Sequence, residues 1–139
     1  MNTKTIVGFV IGVCVLVVVI GVIASSSGST PSPYDVSALA QCLTNKGVVF
    51  YGAFWCPHCQ ATKKLFGDAV SKLPYVECST PDAQGVTQIC KDQGIESYPT
   101  WVFPESTTSS STRLTGERTL EELASQAGCP LLPNPSLKK

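Results

Sequence analysis

Residues 54–60, Phe-Trp-Cys-Pro-His-Cys-Gln, contain two cysteines three positions apart between two predicted elements of different type. Upstream, the apolar run 48–51 (Val-Val-Phe-Tyr) lies between Gly47 and Gly52, which predicts a buried strand. Downstream, apolar residues recur at helical spacing and predict an amphipathic helix: Leu65, Phe66, Ala69, Val70 and Leu73. The cysteines therefore fall at a strand-to-helix corner, with Pro57 in the first turn, where no backbone N–H is required.

The start of a helix favours thiol chemistry. Unpaired N–H groups and the positive end of the helix dipole stabilise an anion, and here the available anion is a thiolate. His58 is the only histidine in the chain and can supply positive charge or a hydrogen bond when Cys56 ionises. We assign Cys56, expected to be exposed at the helix start, as the nucleophile and Cys59, one turn further in, as the resolving thiol.

Two other interpretations of this cysteine pair are an inert structural disulfide and half of a zinc site. A tetrahedral zinc site needs four ligands, commonly two closely spaced pairs. The sequence contains no second Cys-x-x-Cys and no pair of histidines. We therefore predict that no metal is bound, and thiol exchange requires no organic cofactor.

Composition limits the size and partners of the protein. The chain has 139 residues, of which 43% are hydrophobic and 14% charged, which suits one domain plus an appendage. Ten basic and ten acidic residues give zero formal charge, and the sequence has no basic block. These features argue against a nucleic-acid-binding protein.

The appendage is the uncharged run Ile6–Ala24, which approaches the ~20 residues needed to cross a bilayer and contains Cys14. Residues 1–24 are therefore predicted to be a transmembrane anchor. The alternative is a signal peptide cleaved before Ser25, although signal cores usually span only about 7–15 residues. Lys4 places the N-terminus in the cytoplasm. Both interpretations export the remaining chain to the periplasm, the cell exterior or a lumen.

Residues 25–34 are rich in Ser, Gly and Pro, as expected of a solvated tether. We place the folded domain at residues 35–130 and a C-terminal tail at 131–139. Within the domain, the pattern predicts a first helix ended by Gly47, the strand and helix around the cysteines, and a short strand at Tyr75-Val76. A third helix, strands at 100–103 and 113–115, and a last helix opened by a capping box at residues 119–122 follow.

The segment 50–59 followed by Tyr98-Pro99-Thr100-Trp101 resembles the thioredoxin-like superfamily. Within it, the sequence is most similar to the thioredoxin-like domain fused to bacterial and plant vitamin K epoxide reductase homologues. Residues 75–78 and Gly94-Ile95 also match that branch, and the similarity covers about 36–129. The resemblance implies an α/β fold with a central mixed sheet flanked by helices.

The resemblance also implies a substrate site. In such folds a cis-proline faces the active cysteines, and Pro99 occupies the corresponding position. Ser97, Tyr98 and Pro99 would form one wall of a groove for extended polypeptide, and Trp55 another. Without the resemblance, Pro99 is an ordinary proline at a strand start and Trp55 is equally suited to the core.

Four further cysteines call for pairing in an exported domain of this size. Cys78 and Cys90 flank one strand-to-helix connection, which favours their pairing, and in the resembled branch a similar pair is structural. Cys42 and Cys129 then remain as partners by elimination, although four cysteines allow three connectivities. A buried free thiol is the alternative for Cys42.

One residue departs from the pattern of thioredoxins proper, which carry a buried Asp on the strand six residues before the first active cysteine. Phe50 stands at that position, which argues against a general cytosolic reductase. The resulting hypothesis is a membrane-anchored, extracytoplasmic oxidoreductase that acts on protein thiols and disulfides, partnered with a quinone-linked oxidase of the vitamin K epoxide reductase type. The alternatives are a reductase or isomerase fed by a membrane electron donor, and a non-enzymatic thiol- or metal-binding module.

Overall fold

The computed structural model describes residues 31–104 and 112–137. The predicted anchor and most of the predicted tether lie outside these ranges. Within them, no helix is both long enough and apolar enough to cross a membrane. The anchor therefore stays a prediction.

Four strands form one mixed sheet. They are β1 (Val49–Gly52), β2 (Tyr75–Glu77), β3 (Thr100–Phe103) and β4 (Thr112–Thr115), in the spatial order β2-β1-β3-β4. β1 runs parallel to β2 and antiparallel to β3, and β3 pairs antiparallel with β4. Helices pack against this sheet, so the predicted mixed sheet flanked by helices is confirmed.

The first and last helices each begin at a side chain that accepts hydrogen bonds from free backbone N–H groups. α1 (Val36–Asn45) starts at Asp35, whose carboxylate accepts from the N–H groups of Ser37 and Ala38. The chain then turns at Gly47, which has a φ of +71°. The last helix, α4 (Leu120–Ala127), opens with the predicted capping box, in which Thr119 and Glu122 cap each other's backbone N–H groups. α3, between them, covers only Gln88–Asp92.

The helix after the cysteines is shorter than the sequence pattern predicts. α2 covers Pro57–Phe66, and a 3₁₀ helix follows over Gly67–Lys72. Gly67 has a φ of +51°, which ends the α-helix before Val70 and Leu73. The prediction of one continuous helix to Leu73 is therefore wrong, because apolar spacing persists through a change of helix type.

Adjacent residues of β1 face two different parts of the core. Phe50 is fully buried and stacks on Trp101 of β3, with ring centroids 4.5 Å apart. Its neighbour Tyr51 faces a smaller cluster that contains Cys78, Cys90 and Ile95. This alternation is the two-residue period of a strand, and it means that β1 is buried on both sides.

Two disulfides join elements that are separated along the chain. Cys78, after β2, is bonded to Cys90 on α3, and Cys42 on α1 is bonded to Cys129 after α4. These are the pairs that the sequence analysis predicted. The alternative of a buried free thiol at Cys42 is therefore wrong in this structure.

The two ends of the folded unit lie side by side. Tyr34 forms an antiparallel bridge with Pro133, and the N–H of Asn134 donates to the carbonyl of Pro33 at 2.9 Å. The N–H of Asp35 also donates to the carbonyl of Leu132 at 2.8 Å. Residues just before α1 are thus hydrogen bonded to residues of the predicted C-terminal tail.

Candidate active site

Cys56 lies at the N-terminal end of α2, directly after the turn that follows β1. Its backbone N–H donates to the carbonyl of Ala53 at 3.1 Å, and its Sγ lies 3.8 Å from the carbonyl oxygen of Tyr98. The residue is 5% exposed, so the expectation of an exposed nucleophile is wrong in degree. The reason is that the turn before α2 folds Cys56 against the segment that precedes β3.

Cys59 lies one turn further along α2 and is completely buried. Burial raises the pKa of its thiol to about 12, and the adjacent Cys56 contributes in the same direction. A hydrogen bond from the backbone of Ala53 and the positive charge of Lys63 act against this rise. Cys56 and Cys59 are the two cysteines of residues 31–104 and 112–137 that form no disulfide.

Gly52, the last residue of β1, allows the Cys59 thiol to approach the ring of Tyr75. A Cβ atom on Gly52 would lie 3.0 Å from Cys59 Sγ and 3.0 Å from Tyr75 Cε2, closer than ordinary contacts. The thiol and the ring thus both lie against the side of Gly52 that carries no side chain. A side chain at this position would force one of them to move.

Glu77, at the end of β2, holds the segment that leads into the cysteine pair. Its Oε1 accepts from the backbone N–H of Ser79 at 2.9 Å and from that of Phe54 at 3.2 Å. Its Oε2 accepts from the Tyr75 hydroxyl at 2.6 Å. Burial and this carboxylate raise the pKa of Tyr75 far above its usual range, so the hydroxyl keeps its proton and donates it.

The residues predicted to bind substrate lie together beside Cys56. The Trp55 ring is 52% exposed and meets Tyr98 edge-on, with centroids 6.1 Å apart, while its Nε1 donates to Ser79 Oγ at 2.8 Å. Tyr98 is half-buried and joined by a cis peptide bond to the buried Pro99. Ser97 is exposed, and its carbonyl accepts a hydrogen bond from the Thr100 hydroxyl.

His58 is directed to a partner that the sequence analysis did not identify. Its Nδ1 lies 2.5 Å from Oε1 of Glu117, which follows β4. Both side chains are exposed, at 66% and 49%. The pair links the first turn of α2 to the loop between β4 and α4.

Sequence reasoning also gave no role to Lys63, Tyr75 or Glu77. A signal for Lys63 was present, since a residue four positions after Cys59 shares its helix face. The segment 75–78 was used to predict a short strand and as evidence of resemblance, not as part of the site. Nothing in the local pattern marked Glu117, because 59 positions separate it from His58. In the described parts of the chain, no three His, Cys, Asp or Glu residues come together as metal ligands would.

Comparison with known proteins gives two findings. The family model described as Thioredoxin matches residues 31–128, which include the whole sheet and the cysteine pair. The chain is also 41% identical over 104 residues to "Thiol-disulfide oxidoreductase LTO1" of Arabidopsis thaliana. That match covers 72% of this chain and 26% of the plant protein, so the chain spans about a quarter of the length of this relative.

Proposed function

Because this chain belongs to the thioredoxin family, we propose that it exchanges disulfides with other proteins through Cys56 and Cys59. The domain is a protein thiol–disulfide oxidoreductase. The observation that carries this proposal is the position of two unbonded cysteines one turn apart at the start of α2. The name of the plant relative supports it.

The exchange proceeds through a mixed disulfide. In the oxidising direction, a substrate thiolate attacks Cys56 Sγ of the Cys56–Cys59 disulfide, forms a bond to it and releases Cys59 as a thiolate, which takes up a proton. The second substrate thiolate then attacks the substrate sulfur of this mixed disulfide. It forms the substrate disulfide and releases Cys56 reduced, so two electrons pass from substrate to protein.

The substrate is an extended polypeptide segment that binds beside Cys56, over the Trp55 ring and the backbone of residues 97–99. Trp55 supplies exposed apolar surface directly beside the nucleophile. The backbone of residues 97–99 offers hydrogen-bonding groups to a peptide, as in strand addition. Recognition by backbone and one aromatic ring would accept many protein substrates.

Single cysteine variants test the exchange. Cys59→Ala should accumulate mixed disulfides through Cys56, because the internal thiol that releases a bound partner is lost, and non-reducing electrophoresis should reveal them. Cys56→Ala should accumulate none and serves as the matched control. Trapping by Cys56→Ala, or by neither variant, would refute the assigned roles.

We also propose that residues 1–24 anchor the domain to a membrane with the N-terminus in the cytoplasm, on the strength of the apolar run Ile6–Ala24 and Lys4. A thiol label that cannot cross membranes should then modify Cys56 of the reduced protein in intact cells. Labelling only after lysis would contradict the orientation. Release of a shortened chain would contradict the anchor but not export.

The proposed partner is a quinone-linked membrane oxidase of the vitamin K epoxide reductase type, and sequence resemblance supports it. Such an oxidase would remove two electrons from the reduced Cys56–Cys59 pair. In membranes that contain the partner, quinone should restore the disulfide in the wild-type domain, and Cys59→Ala should become linked to the partner. Reoxidation at the same rate in membranes without the partner would reject this pairing.

A further inference from the structure

A positively charged residue lies one helical turn from the resolving cysteine. Lys63 follows Cys59 by one helical turn on α2, so the two side chains share one face of the helix. Its Nζ lies 3.5 Å from the centroid of the Tyr75 ring, a cation–π contact. The ring and the Cys59 thiol both border the open side of Gly52, where a Cβ atom would lie 3.0 Å from each.

The orientation of Tyr75 is fixed from both ends. Its hydroxyl donates to Glu77, whose other oxygen is held by the backbone N–H groups of Phe54 and Ser79. Its ring also packs against Phe50, with centroids 5.3 Å apart. Tyr75 is therefore a rigid platform for the Lys63 ammonium group.

Lys63 shares a helix face with Cys59, whose ionised form is disfavoured. Cys59 is completely buried, and burial disfavours a thiolate there. β1 offers the aromatic side chain of Phe50 at the position where thioredoxins proper carry a carboxylate. The Lys63 charge acts in the opposite direction to burial, because it lowers the pKa of Cys59.

We propose that Lys63 stabilises the Cys59 thiolate each time the Cys56–Cys59 disulfide opens or forms, and that Tyr75 and Glu77 position Lys63 for this role. The proposal rests on the exchange function above. Lys63 stabilises the negative charge that develops on Cys59 Sγ and takes no part in the attack by Cys56. In both directions of exchange that sulfur carries the negative charge, as leaving group or as nucleophile.

The closing step can be written with its full balance. Cys59 loses a proton to solvent, and its thiolate attacks Cys56 Sγ of the mixed disulfide. The Cys56–Cys59 bond forms, the bond from Cys56 to the partner sulfur breaks, and the partner leaves as a thiolate. Lys63 changes the rate of this step because the attacking group is anionic at the moment of attack.

The test uses the full chain carrying Cys14→Ala, which leaves Cys56 and Cys59 as the two cysteines outside the structural disulfides, and the reagent 5,5′-dithiobis(2-nitrobenzoate). Reduced protein releases one nitrothiobenzoate as Cys56 forms a mixed disulfide, and a second as Cys59 closes the disulfide. Stopped-flow absorbance separates the two phases. Lys63→Met should leave the first phase unchanged and slow the second about tenfold near neutral pH, as expected when a neighbouring charge is lost.

Lys64→Met is the matched control, because Lys64 is the next residue of α2 and is exposed. It should leave both phases unchanged. Lys63→Arg should restore the second phase to within about twofold of wild type, since it keeps the charge and the cation–π contact. A merely structural role for Lys63 would not shift the pH dependence of the second phase, whereas this proposal expects Lys63→Met to move it to higher pH.

Variants of the platform test the positioning role. Tyr75→Leu removes the ring and should slow the second phase about as much as Lys63→Met, while Tyr75→Phe keeps the ring and should slow it less. If the second phase had the same rate in Lys63→Met and Lys64→Met, this proposal would be wrong. The exchange function would be unaffected by that result. Absence of the first phase in wild type would instead refute the exchange function, and this proposal with it.

Discussion

At the scale of single residues, the buried thiol of Cys59 makes the stability of the fold depend on pH. Burial raises the pKa of its thiol from 9.0 to about 12 in the folded protein. Above pH ~9 an unfolded chain therefore binds fewer protons at this residue than the folded chain does. The contribution of this thiol to the free energy of unfolding is therefore fully present below pH ~9. It is lost as the pH rises towards 12.

This prediction is measurable by comparing Cys56→Ala, which keeps the Cys59 thiol, with the double variant Cys56→Ala/Cys59→Ala. Between pH 9 and 10, the unfolding free energy of the single variant should fall by about 1 kcal/mol relative to the double variant. Denaturant titrations at each pH give the difference, and the titration of tyrosines cancels. Parallel curves for the two variants would contradict the buried thiol.

His58 and Glu117 lead to a second prediction at this scale. His58→Ala should decrease the thiolate absorbance of reduced protein at neutral pH, because a nearby cation or hydrogen-bond donor is lost. Glu117→Ala should have a smaller effect in the same direction, because the imidazole loses the contact that orients it beside the start of α2. Both side chains are exposed, so added salt should reduce the effect of Glu117→Ala. Equal absorbance in all three proteins would exclude His58 from thiolate support.

Local sequence explains which residues of the site could be predicted. The cysteines and His58 stand in one contiguous motif, whose chemistry follows from residue type and spacing. Pro99 and Tyr98 were assigned by resemblance. Glu117 and Glu77 reach the site only because the sheet brings β2 and the end of β4 beside α2, and three-dimensional proximity of this kind has no local signature.

At the scale of elements, helix ends were more predictable than helix continuity. Asp35, Gly47 and the Thr119 capping box mark their boundaries through specific hydrogen bonds or a positive φ. The end of α2 at Phe66 was not predicted, because Gly67 interrupts an apolar pattern that both helix types can satisfy.

The Thr119 cap gives a prediction for α4. Thr119→Ala should lower the unfolding free energy by about 1 kcal/mol, because the N–H of Glu122 loses its acceptor. Thr119→Ser keeps the hydroxyl and should stay within a few tenths of a kcal/mol of wild type. Thermal and denaturant unfolding measure both. Equal losses in the two variants would point to the methyl group rather than the cap.

At the scale of the whole molecule, the two disulfides close loops of very different length. Cys42–Cys129 spans 87 positions and Cys78–Cys90 spans 12. In the chain-entropy model, closing the longer loop stabilises the fold by about 4.5 kcal/mol and closing the shorter one by about 3 kcal/mol. The longer loop ties α1 to the end of α4 and so encloses most of the folded chain.

Paired alanine variants test this difference. Replacing Cys42 and Cys129 should lower the unfolding free energy more than replacing Cys78 and Cys90, because it frees the longer loop. Both variants should retain Cys56–Cys59 exchange, measured by the two-phase nitrothiobenzoate assay. Peptide mapping of oxidised protein that linked Cys78 to Cys42 or Cys129 would refute the framework.

The bridge between Tyr34 and Pro133 makes the folded unit close to a ring. Because the first and last residues of the folded unit lie side by side, the packing does not require the chain to begin and end at these residues. Several chain orders, which differ only in where the chain begins, would then give the same packing of helices and strands. A circular permutant that joins Asn134 to Pro33 through a short linker and opens the chain between β3 and β4 should keep the cysteine pair at the start of the same helix.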